Sequence, residues 1–89
     1  MIAYRVVSPG ADGEEWFDDA VTADAAVAGR LDVASSAIES LRRRITVDPV
    51  VVRRDGARWR SRQVWTVRSG ERSVRIFEML QIDEELYEH

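Results

Sequence analysis

The sequence predicts an α+β fold, in which one or two helices over about residues 22–46 pack on an antiparallel sheet of three to five strands. Apolar residues recur at helical spacing in the first half of the chain. In the second half they alternate with arginine at the period of two that is typical of strands. Two dipeptides typical of hairpin turns, Asp55-Gly56 and Ser69-Gly70, divide that half. A chain of 89 residues is expected to form a single domain, 1–89.

The first two elements are expected to be strands joined by a turn. The opening MIAYRVV has the composition of a short strand, and SPGADG contains the proline and glycines of a turn. The segment EEWFDDAV, residues 14–21, fits either a returning strand or a short helix. The preceding loop suits a hairpin and therefore favours the strand.

A helix is predicted from Thr22 onwards. The arginines at 42–44 would lie at its C-terminal end, where cations complement the helix dipole, and Asp48-Pro49 would end it. The apolar residues at spacings of three and four are Val27, Leu31, Ala34, Ile38, Leu41 and Ile45.

The same segment also fits two helices separated by a turn at residues 32–34. Ser36 and Glu39 have the spacing of a capping box, which marks the start of a new helix. Gly29 would cost about 1 kcal/mol relative to alanine inside one continuous helix. A single helix lying across the sheet and a pair of helices are both left open.

Alternation sorts the side chains of the second half onto two faces of the sheet. With Asp55-Gly56 as a turn, Arg53 lies opposite Arg58, and the tryptophans are expected in the core, although base-stacking platforms remain an alternative. The face expected to cover the helix holds Val50, Val52, Trp59, Ser61, Gln63, Trp65, Val67, Val74 and Ile76. The outer face holds Val51, Arg53, Arg58, Arg60, Arg62, Val64, Thr66, Arg68, Arg75 and Phe77.

Charge is strongly partitioned along the chain, whose formal net charge is -3. Residues 1–41 carry a net charge of -6, residues 42–75 carry +8 and residues 76–89 carry -5. All 13 basic residues are arginine. Because a local patch dominates the field within a Debye length of about 8–10 Å, the sequence predicts a basic surface on an acidic protein.

The stretch from about residue 22 to 62 resembles the winged helix-turn-helix domains of the excisionase and MerR type. The segment TADAAVAGRLDVASSAIESLRRR is similar to the helix pair of that family, with the turn at residues 32–34. RRDGARWR resembles its wing, with Asp55-Gly56 at the tip and residues 58–60 on the return strand. The resemblance implies a DNA-binding protein in which a recognition helix is followed by a wing.

Nucleic-acid binding is the function that the arginines predict, because a guanidinium can bind a phosphate through two parallel hydrogen bonds. The alternative is a protein-interaction module or small regulator whose basic face docks on an acidic protein surface. A chain this short buries only about 60–65% of its unfolded surface, so a homodimer is a further expectation. The expected nucleic-acid-binding residues are Arg42, Arg43, Arg44, Arg53, Arg58, Arg60 and Arg62.

The acidic tail has its own predicted roles. Residues 78–89, EMLQIDEELYEH, are expected to form a strand end and a short helix, with Met79, Leu80, Ile82 and Leu86 packing. The alternative role is a detachable acidic lid over the arginines, formed by residues 83–89.

Enzyme chemistry is not expected. The chain has no cysteine and its only histidine is His89, so nothing supplies a thiolate or an imidazole next to the carboxylates. No cofactor or metal is expected. The absence of a long apolar run or a signal peptide predicts no membrane association and a cytoplasmic location. The acidic residues near the first turn are expected to be a solvated face: Glu14, Glu15, Asp18 and Asp19.

Overall fold

The computed structural model describes residues 1–10 and 13–82. Within them the predicted α+β fold is confirmed, with two helices packed on a six-stranded antiparallel sheet. No helix in these two ranges is long and apolar enough to cross a membrane. In chain order the elements are β1 (Ile2–Val7), β2 (Glu14–Phe17), α1 (Ala20–Leu31), a 3₁₀ turn (Ser35–Ala37), α2 (Ile38–Leu41), β3 (Arg42–Ile45), β4 (Val51–Arg54), β5 (Ala57–Ser69) and β6 (Arg72–Ile82).

The sheet is organised around the two long C-terminal strands. Its order is β2-β1-β6-β5, and both β3 and β4 pair with the free side of β5. β3 pairs with residues 64–67 of β5, whereas β4 pairs with residues 57–60. The loop of residues 46–50 therefore runs past a gap in the pairing of β5.

The helical segment consists of two helices. Residues 14–17 form the expected strand, and α1 begins at Ala20, two residues before the predicted start. α1 ends at Leu31 because Asp32 adopts a left-handed conformation with φ of 56°. The break lies where the two-helix alternative placed it, and Val27 and Ile38 are both fully buried beneath the helices.

The N-terminus of α1 is capped by Asp19, which accepts hydrogen bonds from the backbone nitrogen of Thr22 at 2.7 Å and from its hydroxyl. The bond from the Thr22 backbone is the main cause that lowers the pKa of Asp19 below its ordinary value of 3.8. Because the folded-state pKa is the lower one, the charged cap contributes fully above pH 3.8 and its contribution is lost as the pH falls below that value.

Replacing Asp19 with asparagine tests this pH dependence, since asparagine caps a helix equally well but does not titrate. We expect the free energy of unfolding of the wild type, relative to Asp19→Asn, to fall when urea titrations at neutral pH are repeated at about pH 3. A difference between the two proteins that does not change with pH would contradict the assignment of this carboxylate.

Residues 42–44 form a strand, which corrects their expected place at a helix end. The helix ends at Leu41, and Arg42 has an extended backbone that pairs with Val67 of β5. The reason is non-local. The upper half of β5 presents backbone N–H and C=O groups that need partners, and β3 supplies them. This additional strand brings the sheet to six strands, above the expected three to five.

The first predicted hairpin turn is confirmed and the second is shifted. Asp55 and Gly56 both have positive φ, 52° and 75°, and Arg53 lies opposite Arg58. The second turn has Gly70 and Glu71 at its centre instead of Ser69-Gly70, because Gly70 takes the positive φ of 61° and Ser69 still pairs with Arg72.

A β-bulge at Arg62 reverses the alternation along β5. Ser61 lies opposite Met79 and Gln63 lies opposite Glu78, so Arg62 is the one extra residue. An extra residue shifts all following side chains to the other face. Trp65 therefore lies on the helix side of the sheet, whereas Trp59 lies on the opposite side, in contrast to their predicted common face.

The bulge divides the interior into two cores on opposite sides of the sheet. Val52, Trp59 and Ser61, which were expected to cover the helix, lie on the far side, where Val64 and Phe77 are buried instead of facing outwards. The first core, on the helix side, contains Val6, Ala23, Val27, Ala28, Leu31, Ile38, Val67, Val74 and Ile76. The second core contains Ala3, Trp59, Val64, Phe77 and Met79.

The second core is covered by the sheet itself, which curls until its two edges meet. Trp16 of β2 makes an edge-to-face contact with Trp59 of β5, with ring centroids 5.5 Å apart, although β1 and β6 lie between these strands. Arg54 of β4 lies over the ring of Trp16, 4.7 Å from its centroid. The curl leaves the helix side of the lower sheet, around residues 58–60, without a covering element among the described residues.

Candidate nucleic-acid interface

Most of the predicted arginines share one side of the sheet. Arg60 lies opposite Leu80, and Leu80 shares its face with Ile76 of the first core, so Arg60 is on the helix side. The bulge residue Arg62 reaches the same side through its ion pair with Glu78. We call this set the basic face; its members are Arg44, Arg53, Arg58, Arg60 and Arg62.

The basic face lies outside the area that the helices cover. Three apolar side chains on the same side are exposed beside it: Val51 is 51% exposed, Leu80 39% and Ile2 38%. Leu80 was expected to pack, and its exposure corrects that prediction. In register, Ile2, Leu80, Arg60 and Val51 form one row across four strands.

The arginines of the basic face differ in how far the protein neutralises them. The side chains of Arg44 and Arg60 are exposed and make no hydrogen bond or ion pair with another described residue. Nε of Arg62 lies 3.1 Å from Oε1 of Glu78, whose side chain is mostly buried. Arg53 and Arg58 each have an interaction partner of their own.

Arg42 and Arg43 do not join the basic face. The guanidinium of Arg42 lies over the ring of Trp65, 5.0 Å from its centroid. Arg43 is on the opposite side of the sheet and donates to the backbone oxygens of Ser40 and Arg42. Burial raises the pKa of Asp24 on α1, and the charge of Arg42 acts in the opposite direction. Both arginines therefore support the junction between α2 and β3.

The tryptophans serve packing. Trp59 is 5% exposed, in agreement with its expected place in the core, and its indole nitrogen has no hydrogen-bond partner among the described residues. Trp65 is partly buried against the first core beneath Arg42. Trp16 is covered by Trp59 and Arg54. Because the rings of the three tryptophans are covered in this way, we assign no base-stacking role to them.

The carboxylates near the first turn are structural. Glu14 pairs with Arg5 and accepts a hydrogen bond from the indole of Trp16 at 3.1 Å, and Glu15 pairs with Arg30 at 2.6 Å. Burial would raise the pKa of Glu14, but the hydrogen bonds from Trp16 and Arg5 outweigh it and lower that pKa. In the described ranges, no three acidic or histidine side chains group as a metal site would require.

A small pocket lies in the gap between β3 and β4, next to the bulge. Its volume is about 120 Å³, and two arginines of the basic face line it. No pattern in the sequence indicates this pocket, because it forms only where three separate segments meet. This bulge pocket is lined by Arg44, Ile45, Thr46, Val47, Pro49, Ser61, Arg62, Gln63 and Val64.

A larger cleft of about 400 Å³ lies at the opposite end of the sheet, where α1 ends. Its lining mixes Arg30 and Arg72 with Glu71. Arg30 is already bound to Ser8 and Glu15, at 2.7 and 2.6 Å. The cleft therefore offers less unneutralised charge than the bulge pocket does.

No protein-family model, no curated protein and no solved structure matches this chain. The resemblance to winged helix-turn-helix domains stays a prediction. The function is therefore inferred from the geometry and charge of the basic face.

Proposed function

We propose that the protein binds nucleic acid by placing the basic face against the phosphate backbone. The observation that carries the proposal is the position of five arginines on the helix side of the sheet, beyond the helices; among the described strand residues around them, Glu78 is the only carboxylate. The side chain of Glu78 is mostly buried and pairs with Arg62. The guanidinium groups of Arg44 and Arg60 are exposed and have no competing carboxylate among the described residues, so they are suited to bidentate phosphate binding.

The contacts proposed here position the protein without reading a sequence. Phosphate contacts are the same at every base pair, so sequence preference has to come from base edges or from the shape of the nucleic acid. The side chains between the arginines are Val51, Leu80 and Ile2, none of which can form hydrogen bonds with a base. We therefore expect duplexes of different sequence to bind with similar affinity.

The salt dependence of binding tests the proposal. In fluorescence anisotropy titrations with a mixed-sequence duplex, log K should fall against log salt with a slope of about -4 to -5, because each phosphate contact contributes about -0.9. In the double variant Arg44→Ala/Arg60→Ala the slope should shrink by about 2, and the affinity should fall.

A matched control removes the same charge from the other side of the sheet. Arg68 and Arg75 are exposed, and their partners Ser73 and Thr66 place them on the side away from the helices. Arg68→Ala/Arg75→Ala should keep the slope of the wild type. An equal loss of affinity in the two double variants would exclude the basic face as the binding surface. So would the absence of binding at low salt to duplex or to single-stranded DNA or RNA.

A protein-interaction module is the second candidate, and the mixed character of the basic face favours it. The row of Ile2, Leu80, Arg60 and Val51 combines exposed apolar groups with a cation, as interfaces with acidic partners do. Self-association that weakens with added salt in sedimentation runs without nucleic acid would support this alternative. The predicted lid formed by residues 83–89 lies outside the described residues.

A further inference from the structure

The bulge pocket has one rigid wall. The loop of residues 46–50 is fastened to β5 at its end: the backbone nitrogen of Ser61 donates to the oxygen of Val50 at 2.9 Å, and the Ser61 hydroxyl accepts from the nitrogen of Val50 at 2.8 Å. Ser61 is itself buried. The pocket is therefore held open by hydrogen bonds that do not depend on a ligand.

The polar groups that line the pocket are donors. Arg44 and Arg62 provide two guanidinium groups, the Gln63 amide and the Thr46 hydroxyl can donate as well, and no carboxylate is among the lining residues. Nε of Arg62 lies 3.1 Å from Oε1 of Glu78 in an ion pair that restrains the guanidinium, and the terminal nitrogens of Arg62 have no other partner among the described residues. An oriented arginine loses less conformational entropy when it binds an anion.

The size of the pocket restricts the ligand. At about 120 Å³ it is far smaller than the roughly 300–1,000 Å³ of pockets that hold drug-sized molecules. It exceeds the roughly 30 Å³ that one water molecule occupies in the liquid. A single tetrahedral anion fits this range, whereas a whole nucleotide does not.

We infer that the bulge pocket binds one phosphate monoester, namely the terminal phosphate of a nucleic-acid strand that lies on the basic face. This inference rests on the proposed function and adds recognition of a strand end to it. A phosphate monoester carries a charge of about -1.5 to -2 at pH 7, and Arg44 and Arg62 offer it two guanidinium groups, one of which Glu78 partly offsets. A phosphodiester in the interior of a nucleic-acid strand carries a single charge, and the strand would have to leave the pocket on two sides. Such a phosphate therefore suits this site less well.

Oligonucleotides that differ only in their ends test the inference. The probes are three copies of one sequence, with a 5′-phosphate, with a 3′-phosphate, or with hydroxyl groups at both ends. We expect the wild type to bind one of the phosphorylated forms about tenfold more tightly than the hydroxyl form, as charge-assisted hydrogen bonds imply. Arg44→Ala and Thr46→Glu should remove this preference, since both residues are exposed and their substitution leaves the cores intact.

Arg75→Ala is the control, because Arg75 is exposed on the other side of the sheet, and it should keep the preference. Equal binding of all three probes by the wild type would overturn the inference and leave the proposed function standing. Phenyl phosphate provides an independent probe of the pocket. If it shifts the side-chain amide signals of Gln63 while no oligonucleotide binds, nucleic acid is ruled out as the source of the phosphate; if neither binds, the pocket is not a phosphate site.

Discussion

Deletion of Arg62 is expected to leave the protein without a stable fold. This residue is the extra one in β5, and removing it would rotate the segment that precedes it onto the other face of the sheet. Trp59 would leave the second core for the solvent-exposed side, and Arg58 and Arg60 would turn into that core. The cost of burying two guanidinium groups and exposing a tryptophan exceeds the stability margin of about 5–15 kcal/mol typical of a small domain.

The matched variant keeps the residue count and removes only the side chain. In Arg62→Ala the bulge remains, and the loss is limited to the ion pair with Glu78, about 1 kcal/mol for a pair whose arginine is half exposed and whose carboxylate oxygen accepts no hydrogen bond from a described residue. Circular dichroism and urea titration of the two proteins measure the difference. A deletion variant as stable as Arg62→Ala would mean that the hairpin slides to a new register and that the bulge does not determine the two cores.

Replacing Trp59 with alanine should lower the free energy of unfolding by about 3–5 kcal/mol, the usual range for a buried aromatic residue. Trp59 is the largest side chain of the second core, and it also supports Trp16, which covers that core from the edge strand. Its loss would open a cavity where the two edges of the sheet meet. Urea titration followed by circular dichroism measures the effect without using tryptophan fluorescence.

Two further variants locate the cause of that loss. Trp65→Ala should cost less, because Trp65 is only partly buried at the margin of the first core. Trp59→Phe should cost less than about 1.5 kcal/mol, since the indole nitrogen of Trp59 makes no hydrogen bond to a described residue and only volume is lost. A Trp59→Ala variant no less stable than Trp65→Ala would show that the curl of the sheet survives without the contact to Trp16.

The features that the sequence predicted correctly depend on local chemistry. The α+β class follows from two hydrophobic periods. The break was predicted near Asp32 from the spacing of Ser36 and Glu39, but that capping box does not form: Ser36 lies within the 3₁₀ turn, and neither this turn nor α2 has a side-chain cap. The left-handed conformation of Asp32 is what ends α1. The first hairpin follows from a dipeptide whose residues both tolerate positive φ, as the values at Asp55 and Gly56 confirm. Each of these is determined within a few residues along the chain.

The errors arise where distant segments decide. Nothing near residues 42–44 indicates that β5 has unpaired backbone groups to which another strand could bind. The local sequence was therefore equally compatible with a helix and with a strand. The bulge did leave a trace, because Val64 and Phe77 fell among the outer residues and Gln63 among the inner ones. An apolar pattern that changes parity within a strand indicates an extra residue.

The site was predicted in part. The confirmed first hairpin keeps Arg53, Arg58 and Arg60 together, as alternation required. Alternation alone does not fix which side of the sheet the helices cover. The helical spacing up to Ile45 placed Arg42, Arg43 and Arg44 at the end of a helix, whereas α2 stops at Leu41 and these residues form β3. The bulge pocket could not be predicted from the sequence, because it depends on the relative positions of β3, β4 and β5.

The single inserted residue in β5 also constrains how such a protein can evolve. It separates two hydrophobic interiors, and it supplies one of the cations beside the gap. Loss of this residue would therefore alter folding and surface charge in the same step, whereas its substitution would change the charge and keep the bulge. Changes confined to the surface are also accessible at the rim of the bulge pocket, for example at the exposed Thr46.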